Sequence, residues 1–342
     1  MDASVERVSM RAGGLRSIPL IDLGRAGPVA LARRSRAVAR ALIASARRDY
    51  GSLALRLASG LSARWLSRAG DPYRDEIAAV AAVLGESAAW TLNLSYEWFC
   101  TTGTAPDPGG EGNRLMRTLD WPLEGLGRHV VVAREEAAAG VTYNVTWPGF
   151  VGMVTAMAPG RFAAAINQAP MRRAGLPLAL DWGLVRLGVW RRQALPPAHL
   201  LRRVFDHAAS YAEARAMLIE TPICLPAFFV LSGLAPGEGC IIERLEDEAF
   251  VHEGPLAVAN DWLTPGLDGT PRGAQCETRR GLLTERLATV ADGFAWVVPP
   301  VLNACTRVAV VTNAATGRLL VQGWEADGPA TAVFDLARAR AA

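Results

Sequence analysis

The chain changes texture at Cys100, and that change bounds the folds open to it. Before it the sequence reads as helical. An Arg-studded stretch over 28–49 carries Leu31, Val38 and Leu42 on one face, and Leu53, Leu57, Leu61 and Trp65 then recur every four residues. That spacing predicts an amphipathic stripe that needs a partner surface. Asp71-Pro72 reads as a helix start, with Gly85 as the stop. A further turn or two covers 86–99. After Cys100, segments with β character follow one another at 115–121, 129–134, 141–147, 150–156 and 161–166, parted by breaks such as Pro148-Gly149 and Pro159-Gly160. Helices are expected at about 181–192, 197–209 and 211–220, strands at 227–232, 240–245 and 256–260, and a helix over 277–291. A hairpin of 305–312 and 318–324 closes the chain. Strands, then helices, then strands fit α+β layers better than a βαβ repeat. The division expected is a helical segment, 1–99, and a second unit, 100–342.

Composition narrows the chemistry. With 342 residues, 51% hydrophobic and 20% charged, the chain has enough apolar mass for a large core. All 36 cationic residues are Arg, and without Lys there is no Schiff-base lysine, phosphate-loop lysine or Ser–Lys dyad. Residues 1–70 hold thirteen Arg against four carboxylates, a local charge of +9 in a chain whose net charge is only +3. Such a segment could face nucleic acid, an anionic membrane or the acidic remainder of its own chain, and the last is the least demanding. Its only aromatics are Tyr50 and Trp65, so base stacking is poorly supported and no nucleic-acid partner is expected. Five Cys without a C-x-x-C pair, and four scattered His, argue against a disulfide framework and a metal cluster. The first 30 residues lack a continuous apolar stretch and no apolar run reaches spanning length, so the expected location is cytoplasmic.

Three residue sets could carry chemistry. Gly109-Gly-Glu-Gly112 has no following helix and no Lys, so it reads as a surface loop rather than a phosphate cradle. A Ser/His/Asp triad has no G-x-S-x-G turn to stand on. The third set is Cys100, at the helix-to-strand junction, with Arg117 and Asp120 in the following β-like segment. A nearby cation would favour the thiolate, and the carboxylate could hold an amine. From spacing alone, a buried Cys beside an ordinary Arg–Asp pair is the favoured reading.

Resemblance changes that balance. Asn93-Leu-Ser-Tyr-Glu-Trp-Phe-Cys100-Thr-Thr followed by Leu-Met-Arg117-Thr-Leu-Asp120 resembles the acid ceramidase and N-acylethanolamine acid amidase family. The run from Gly149 to Gly160 is similar to that family's G-[YF]-V-G-x-x-T-G-x-x-P segment. Ala259-Asn260-Asp261-Trp262 resembles its T-N-Y-D-x-W, Glu277-Thr-Arg279-Arg280 its D-D-R-R, and Ile18-Pro-Leu-Ile-Asp-Leu23 the opening of its helical subunit. The pieces keep the family's order over about 18–313. Bile-salt hydrolases and penicillin V acylases share the Cys, Arg, Asp, Asn, Arg framework. Two positions depart: Gln168 stands where the ceramidase-type proteins have Glu, and the Tyr of T-N-Y-D is missing.

The resemblance implies an N-terminal-nucleophile hydrolase, a four-layer αββα sandwich preceded by the helical segment. Self-cleavage at Phe99–Cys100 would release an α-amine, of reference pKa about 7.7–8.0, to act as base for its own thiol. Arg117 would lie near the thiol, Asp120 would orient the amine, Asn260 would donate to the oxyanion, and Arg279 would support the site electrostatically. Asn167 and Gln168 would contact substrate, and apolar residues such as Trp147, with the Leu stripe of the helical arm, would line an acyl channel. No cofactor or metal is implied. The substrate would be a lipid N-acyl amide such as a long-chain N-acylethanolamine or ceramide. The Arg-rich arm would rest on an anionic membrane surface, and segment 1–99 would stay bound after cleavage. Alternatives are a bile-salt or penicillin V acylase-like hydrolase, an acyltransferase on the same scaffold, and an unprocessed homologue that binds lipid or a partner without catalysis.

Overall fold

The computed structural model describes residues 14–94, 98–172, 175–176, 178–289 and 293–341. The stretch 95–97 of the cysteine motif and the end of the helix expected over 277–291 lie outside them. The chain opens with a strand, β1 (Leu20–Gly24), and five helices: α1 (Gly27–Arg34), α2 (Arg36–Tyr50), α3 (Ser52–Ala69), α4 (Arg74–Leu84) and α5 (Ala88–Leu92). Six strands follow: β2 (Phe99–Pro106), β3 (Asn113–Asp120), β4 (Val131–Ala137), β5 (Gly140–Thr146), β6 (Thr155–Ala158) and β7 (Phe162–Gln168). Helices α6 (Leu178–Arg191), α7 (Pro197–His207) and α8 (Tyr211–Glu220) come next. Then come β8 (Ala227–Ser232), β9 (Gly239–Arg244), β10 (Ala249–Glu253), β11 (Leu256–Val258), α9 (Cys276–Leu287), β12 (Thr306–Asn313) and β13 (Arg318–Glu325).

The strands form two sheets. One runs β1-β4-β5-β6-β7-β8-β9-β10, and the other begins β11-β2-β3-β12-β13. Strands β2 and β3 of the second sheet pack on β7 and β8 of the first. Every residue of β3, β7 and β8 is buried, as expected for strands covered on both faces. Helices α7 and α8 cover the outer face of the first sheet, and α9 covers the outer face of the second over β2 and β11. The helix–sheet–sheet–helix layering expected from the sequence is the layering found.

The first segment is not wholly helical. Its residues 20–24 form β1, which pairs in parallel with β4 in the register Leu20↔Val132. Segment and second unit therefore share a sheet. Its Leu stripe also faces the other way from expectation. Leu53, Leu57 and Leu61 are 70%, 63% and 43% exposed, and of the four only Trp65 is buried. The covered face of α3 is Leu55, Ser59, Ser62 and Leu66. There α3 meets α5, and Ser59 bonds both the Leu55 carbonyl and the Thr91 hydroxyl. Close contact between the two helices is made by the small Ser59, while Leu53, Leu57 and Leu61 are left outside.

The charge balance across the junction is likewise the reverse of the simple picture. Three of the described contacts use acidic side chains of the first segment: Asp22 with Arg134 at 3.1 Å, Asp71 with His199 at 2.7 Å, and Glu76 with Arg202. Only Arg25–Glu136, at 3.8 Å and exposed, uses one of its Arg. The Asp71–His199 contact is fully buried, and Tyr73 beside it donates to Asp206 at 2.8 Å. Among the described residues no helix is long and apolar enough to cross a membrane.

The two faces of α3 give a direct check. Leu55→Ala should lower unfolding stability by about 2–5 kcal/mol, whereas Leu57→Ala should stay within about 0.5 kcal/mol of the parent. Urea denaturation followed by circular dichroism measures both.

Candidate active site

The site is built on the period-two alternation of paired strands. In β2, Thr102 donates to Asn167 of β7 at 2.6 Å, so the even-numbered side chains point between the sheets. Thr101 receives Arg279 of α9 at 3.0 Å, and Gly103 lies under Leu287, so the odd-numbered ones point outward to α9. Cys100 therefore projects into the space between the sheets and is fully buried.

Arg117 shares that space. It is paired with Thr102 across β2 and β3, and its Nη2 donates to Cys100 Sγ at 3.0 Å and to the Ile166 carbonyl at 2.9 Å. Its Nη1 donates to the Val154 carbonyl and the Thr155 hydroxyl. Asp120, three residues on, lies on the opposite face, toward α9. Its Oδ2 accepts from Asn303 Nδ2 at 2.8 Å and stands 3.7 Å from Arg279 Nη1. The other oxygen, Oδ1, is buried without a hydrogen-bond partner among the described residues.

Asn260 closes the edge. Strand β11 pairs Val258 with Thr102, and continuing that register by two residues brings Asn260 opposite Cys100. Asn260 Oδ1 accepts from the Cys100 main-chain N–H at 2.8 Å, while its Nδ2 donates to the Gln168 carbonyl at 2.8 Å. In the uncleaved chain the expected oxyanion donor is thus already engaged. Arg279 Nη1 donates to the Cys100 carbonyl at 3.1 Å, and its Nε to the Ala274 carbonyl at 3.0 Å. Phe99 packs against Gly273, where a φ of 76° and the 3.2 Å at which a Cβ would stand from Phe99 Cγ leave no comfortable room for a side chain.

The five residues expected to act together do meet around one peptide unit, but they straddle a sheet. Thiol and Arg117 lie on the inner face, Asp120 and Arg279 on the outer, and Asn260 at the edge. Arg117 favours the thiolate, as expected, but in the intact chain burial outweighs it. Burial pushes the Cys100 thiol up from its ordinary value, and Arg117 only opposes that rise. Burial also raises the Asp120 carboxyl, against the pull of Asn303, Arg279, Thr306 and Arg117.

The expected substrate residues separate. Asn167 spends its amide on the framework, accepting from Thr102 and donating to the carbonyls of Val258 and Ala259 at 3.1 and 3.0 Å. Gln168, the next residue of the strand, faces the other way. It lines a cavity of about 320 Å³ with Met171, Arg172, Leu184, Val189 and Arg272, and its Oε1 is buried without a partner among the described residues. Cys100 does not line that cavity. Trp147 is elsewhere: its indole donates to the Leu126 carbonyl at 2.7 Å, and it borders a 60 Å³ pocket beneath α2 with Trp121 and Phe150. That pocket is separate from the cavity beside Gln168. Sequence reasoning missed Asn303, which stands in the loop before β12 and carries no local motif. Among the described residues no group of three or more His, Cys, Asp and Glu could hold a metal.

Two stacked, mainly antiparallel sheets between helices, with a cysteine opening an internal strand, define the N-terminal-nucleophile hydrolase fold. A Caenorhabditis elegans N-acylethanolamine-hydrolyzing acid amidase ortholog superposes with a TM-score of 0.50 at 19% identity, over 69% of this chain and 99% of that one. The sequence relatives are acid ceramidases. That of Macaca fascicularis is 31% identical over 203 residues, 52% of this chain and 49% of that protein. That of Homo sapiens is 30% identical over the same span and the same shares. The chain thus spans about half the length of the curated relatives it matches. No protein-family model matches it. The resemblance read from the motifs is borne out: the chain is a relative of the acid ceramidases on an N-terminal-nucleophile hydrolase scaffold.

Arg117 meets three framework acceptors, the carbonyls of Val154 and Ile166 and the Thr155 hydroxyl, and the Val154 carbonyl also accepts from the Ile166 N–H at 3.0 Å. Arg117→Met should cost about 2 kcal/mol or more, since the Ile166 carbonyl and the Thr155 hydroxyl each lose a donor worth about 1–3 kcal/mol. Chemical denaturation of the purified variant against the parent checks it.

Proposed function

We propose that the chain is a cysteine amidase that cleaves its own Phe99–Cys100 bond and then hydrolyses lipid N-acyl amides through an acyl-enzyme on Cys100. The observation that carries this reading is the set of contacts on one residue. Arg117 is on the thiol, Asn260 on the main-chain N–H and Arg279 on the carbonyl. A merely packed cysteine would not need its thiol, amide and carbonyl each met by a separate polar side chain.

In the first step the thiol sulfur would attack the Phe99 carbonyl carbon. The C–N bond breaks, the Cys100 nitrogen leaves as an amine carrying the thiol proton, and water hydrolyses the resulting thioester to a Phe99 carboxylate. Asn260 Oδ1, already on that nitrogen, would hold it as it becomes an amine. The raised thiol needs a base, and the new α-amine supplies one at the same residue. In turnover the thiolate would attack the substrate amide, and water would then release the acyl group. The bare Oδ1 of Asp120 offers an acceptor to the amine. Asn260 Nδ2 would have to be shared between the Gln168 carbonyl and the oxyanion.

The substrate part of the proposal rests on the acid ceramidase relatives. Contact with an anionic bilayer is supported by the exposed Leu53, Leu57 and Leu61 on a helix that also carries Arg56, Arg64 and Arg68. Segment 1–99 is proposed to stay bound after cleavage, held by β1 in the sheet and by the buried Asp71–His199 and Tyr73–Asp206 contacts.

N-terminal sequencing of the purified protein should find Cys-Thr-Thr-Gly, and Cys100→Ala should remain one chain. A parent chain that stays intact over pH 4–8 would leave an unprocessed binding protein as the reading. With processed enzyme, kcat/KM should be higher for a long-chain acyl amide than for phenoxyacetyl or cholyl amides. The opposite order moves the assignment to the penicillin V acylase or bile-salt branch, and acyl transfer to an added amine marks an acyltransferase.

Asn260→Ala removes both the hold on the Cys100 nitrogen and the candidate oxyanion donor. It should lower kcat about 10²–10³-fold and slow self-cleavage, with the circular dichroism spectrum unchanged. Turnover near that of the parent contradicts the role.

A further inference from the structure

Asp120 is held in an unusual state for a buried carboxylate. One oxygen is bonded and the other, equally buried, has no partner among the described residues. Buried polar atoms without partners are costly and need an explanation. Register supplies part of one: Asp120 pairs with Phe99 on one side and with Thr306 on the other. The Phe99–Cys100 peptide therefore lies beside the carboxylate.

The bonded oxygen is held from outside the strands. Asn303 is an exposed loop residue whose side chain reaches in to donate from Nδ2 to Asp120 Oδ2 at 2.8 Å. The rest of Asn303 is fixed by its own turn. Its Oδ1 accepts from the Cys305 N–H at 2.9 Å, and its N–H donates to the Thr306 hydroxyl at 3.0 Å. Both ends of the amide are thus committed, and its orientation is set, because the Cys305 N–H requires the oxygen to face it.

We propose that Asn303 is a positioning residue for Asp120, pinning Oδ2 so that Oδ1 stays open to the α-amine that cleavage creates at Cys100. The inference rests on the amidase reading above for the amine, but the Asn303–Asp120 bond does not. The groups around Asp120 are Arg279 from α9, Thr306 from β12, and Asn303 and Cys305 from the loop, while Arg117 of β3 and Cys100 of β2 act on it from the other face of the sheet. Burial raises the carboxyl, and among the groups that lower it the Asn303 bond comes first. Without that donor the carboxyl rises further, so protonation intrudes at higher pH and the amine loses its charged partner.

The test is a ¹³C-carboxyl NMR titration of the Cys100→Ala chain, with the Asp120 signal identified by its loss in Asp120→Asn. Asn303→Ala should move the Asp120 titration upward by about one pH unit, the scale of a charge-assisted hydrogen bond. Asn303→Asp should move it further. That variant keeps the acceptor for the Cys305 N–H, so it preserves the turn, but when ionised it has no donor and adds a like charge. In the cleavable chain the acid limbs of self-cleavage and of kcat/KM should move upward in the same order. A purely structural Asn303 predicts instead that Asn303→Asp titrates and turns over like the parent, and that result overturns the proposal. If Asn303→Ala does not fold, Asn303→Asp alone decides. A shifted titration in a parent chain that neither cleaves itself nor turns over any amide supports the hold on Asp120 and removes the amidase reading.

Discussion

The arrangement depends on one buried guanidinium. Arg117 lies in the plane where the two sheets meet, and its donors reach the main chain of β7 at Ile166, the approach to β6 at Val154, and the thiol on β2. A cation in that position is expensive unless its donors are met. Here two backbone carbonyls, the Thr155 hydroxyl and the Cys100 thiol meet four of them, Nε has no partner among the described residues, and the carboxylate nearest in sequence, Asp120, lies on the other face. The charge is therefore not cancelled by a close counter-ion between the sheets. That leaves a field at the sulfur which burial outweighs while the thiol is neutral, and which would act fully once negative charge develops there. The same bonds fix the spacing of the sheets at the site, so one side chain sets both the packing and the electrostatics.

Much of the layering was legible because buried strands and capped helices leave strong local marks. The run 211–220 and the strand 227–232 match the observed bounds, and the Gly85 stop is a left-handed C-cap. What was not legible depended on distant partners. Residues 20–24 form a strand only because β4 offers an open edge, and nothing within those five residues says so. The Leu stripe failed for a different reason. Periodicity finds a face but not which way it points, and α3 turns its Ser59 and Ser62 face inward because α5 comes close.

The site shows the same division. The framework of Cys100, Arg117, Asp120, Asn260 and Arg279 could be named from motifs, and the chain brings all five to one peptide unit. Their distribution over two faces follows from strand alternation and could have been drawn from the sequence: 117 and 120 differ by an odd number, as do 167 and 168. That parity separates Asn167, tied into the framework, from Gln168, turned to the cavity. Asn303 had no such signal. It lies 183 residues from the carboxylate it serves, in a loop whose course is decided by β12 pairing with β3.

Cleavage, on the proposed reading, is a change of partners at one nitrogen. In the intact chain the Cys100 N–H is a neutral amide donor, satisfied by Asn260. Once released it becomes an amine with further protons to place, in a site already holding two buried Arg. An ammonium there needs a carboxylate, and Asp120 is the acidic group among those that act on the thiol. The bare Oδ1 is then a cost borne by the precursor and relieved in the product. Strain of this kind favours the cleaved state and disfavours its reversal. It also explains why the carboxylate sits on the face away from the thiol. Between the sheets it would neutralise Arg117, whereas on the outer face it can serve the amine and leave the sulfur to the guanidinium.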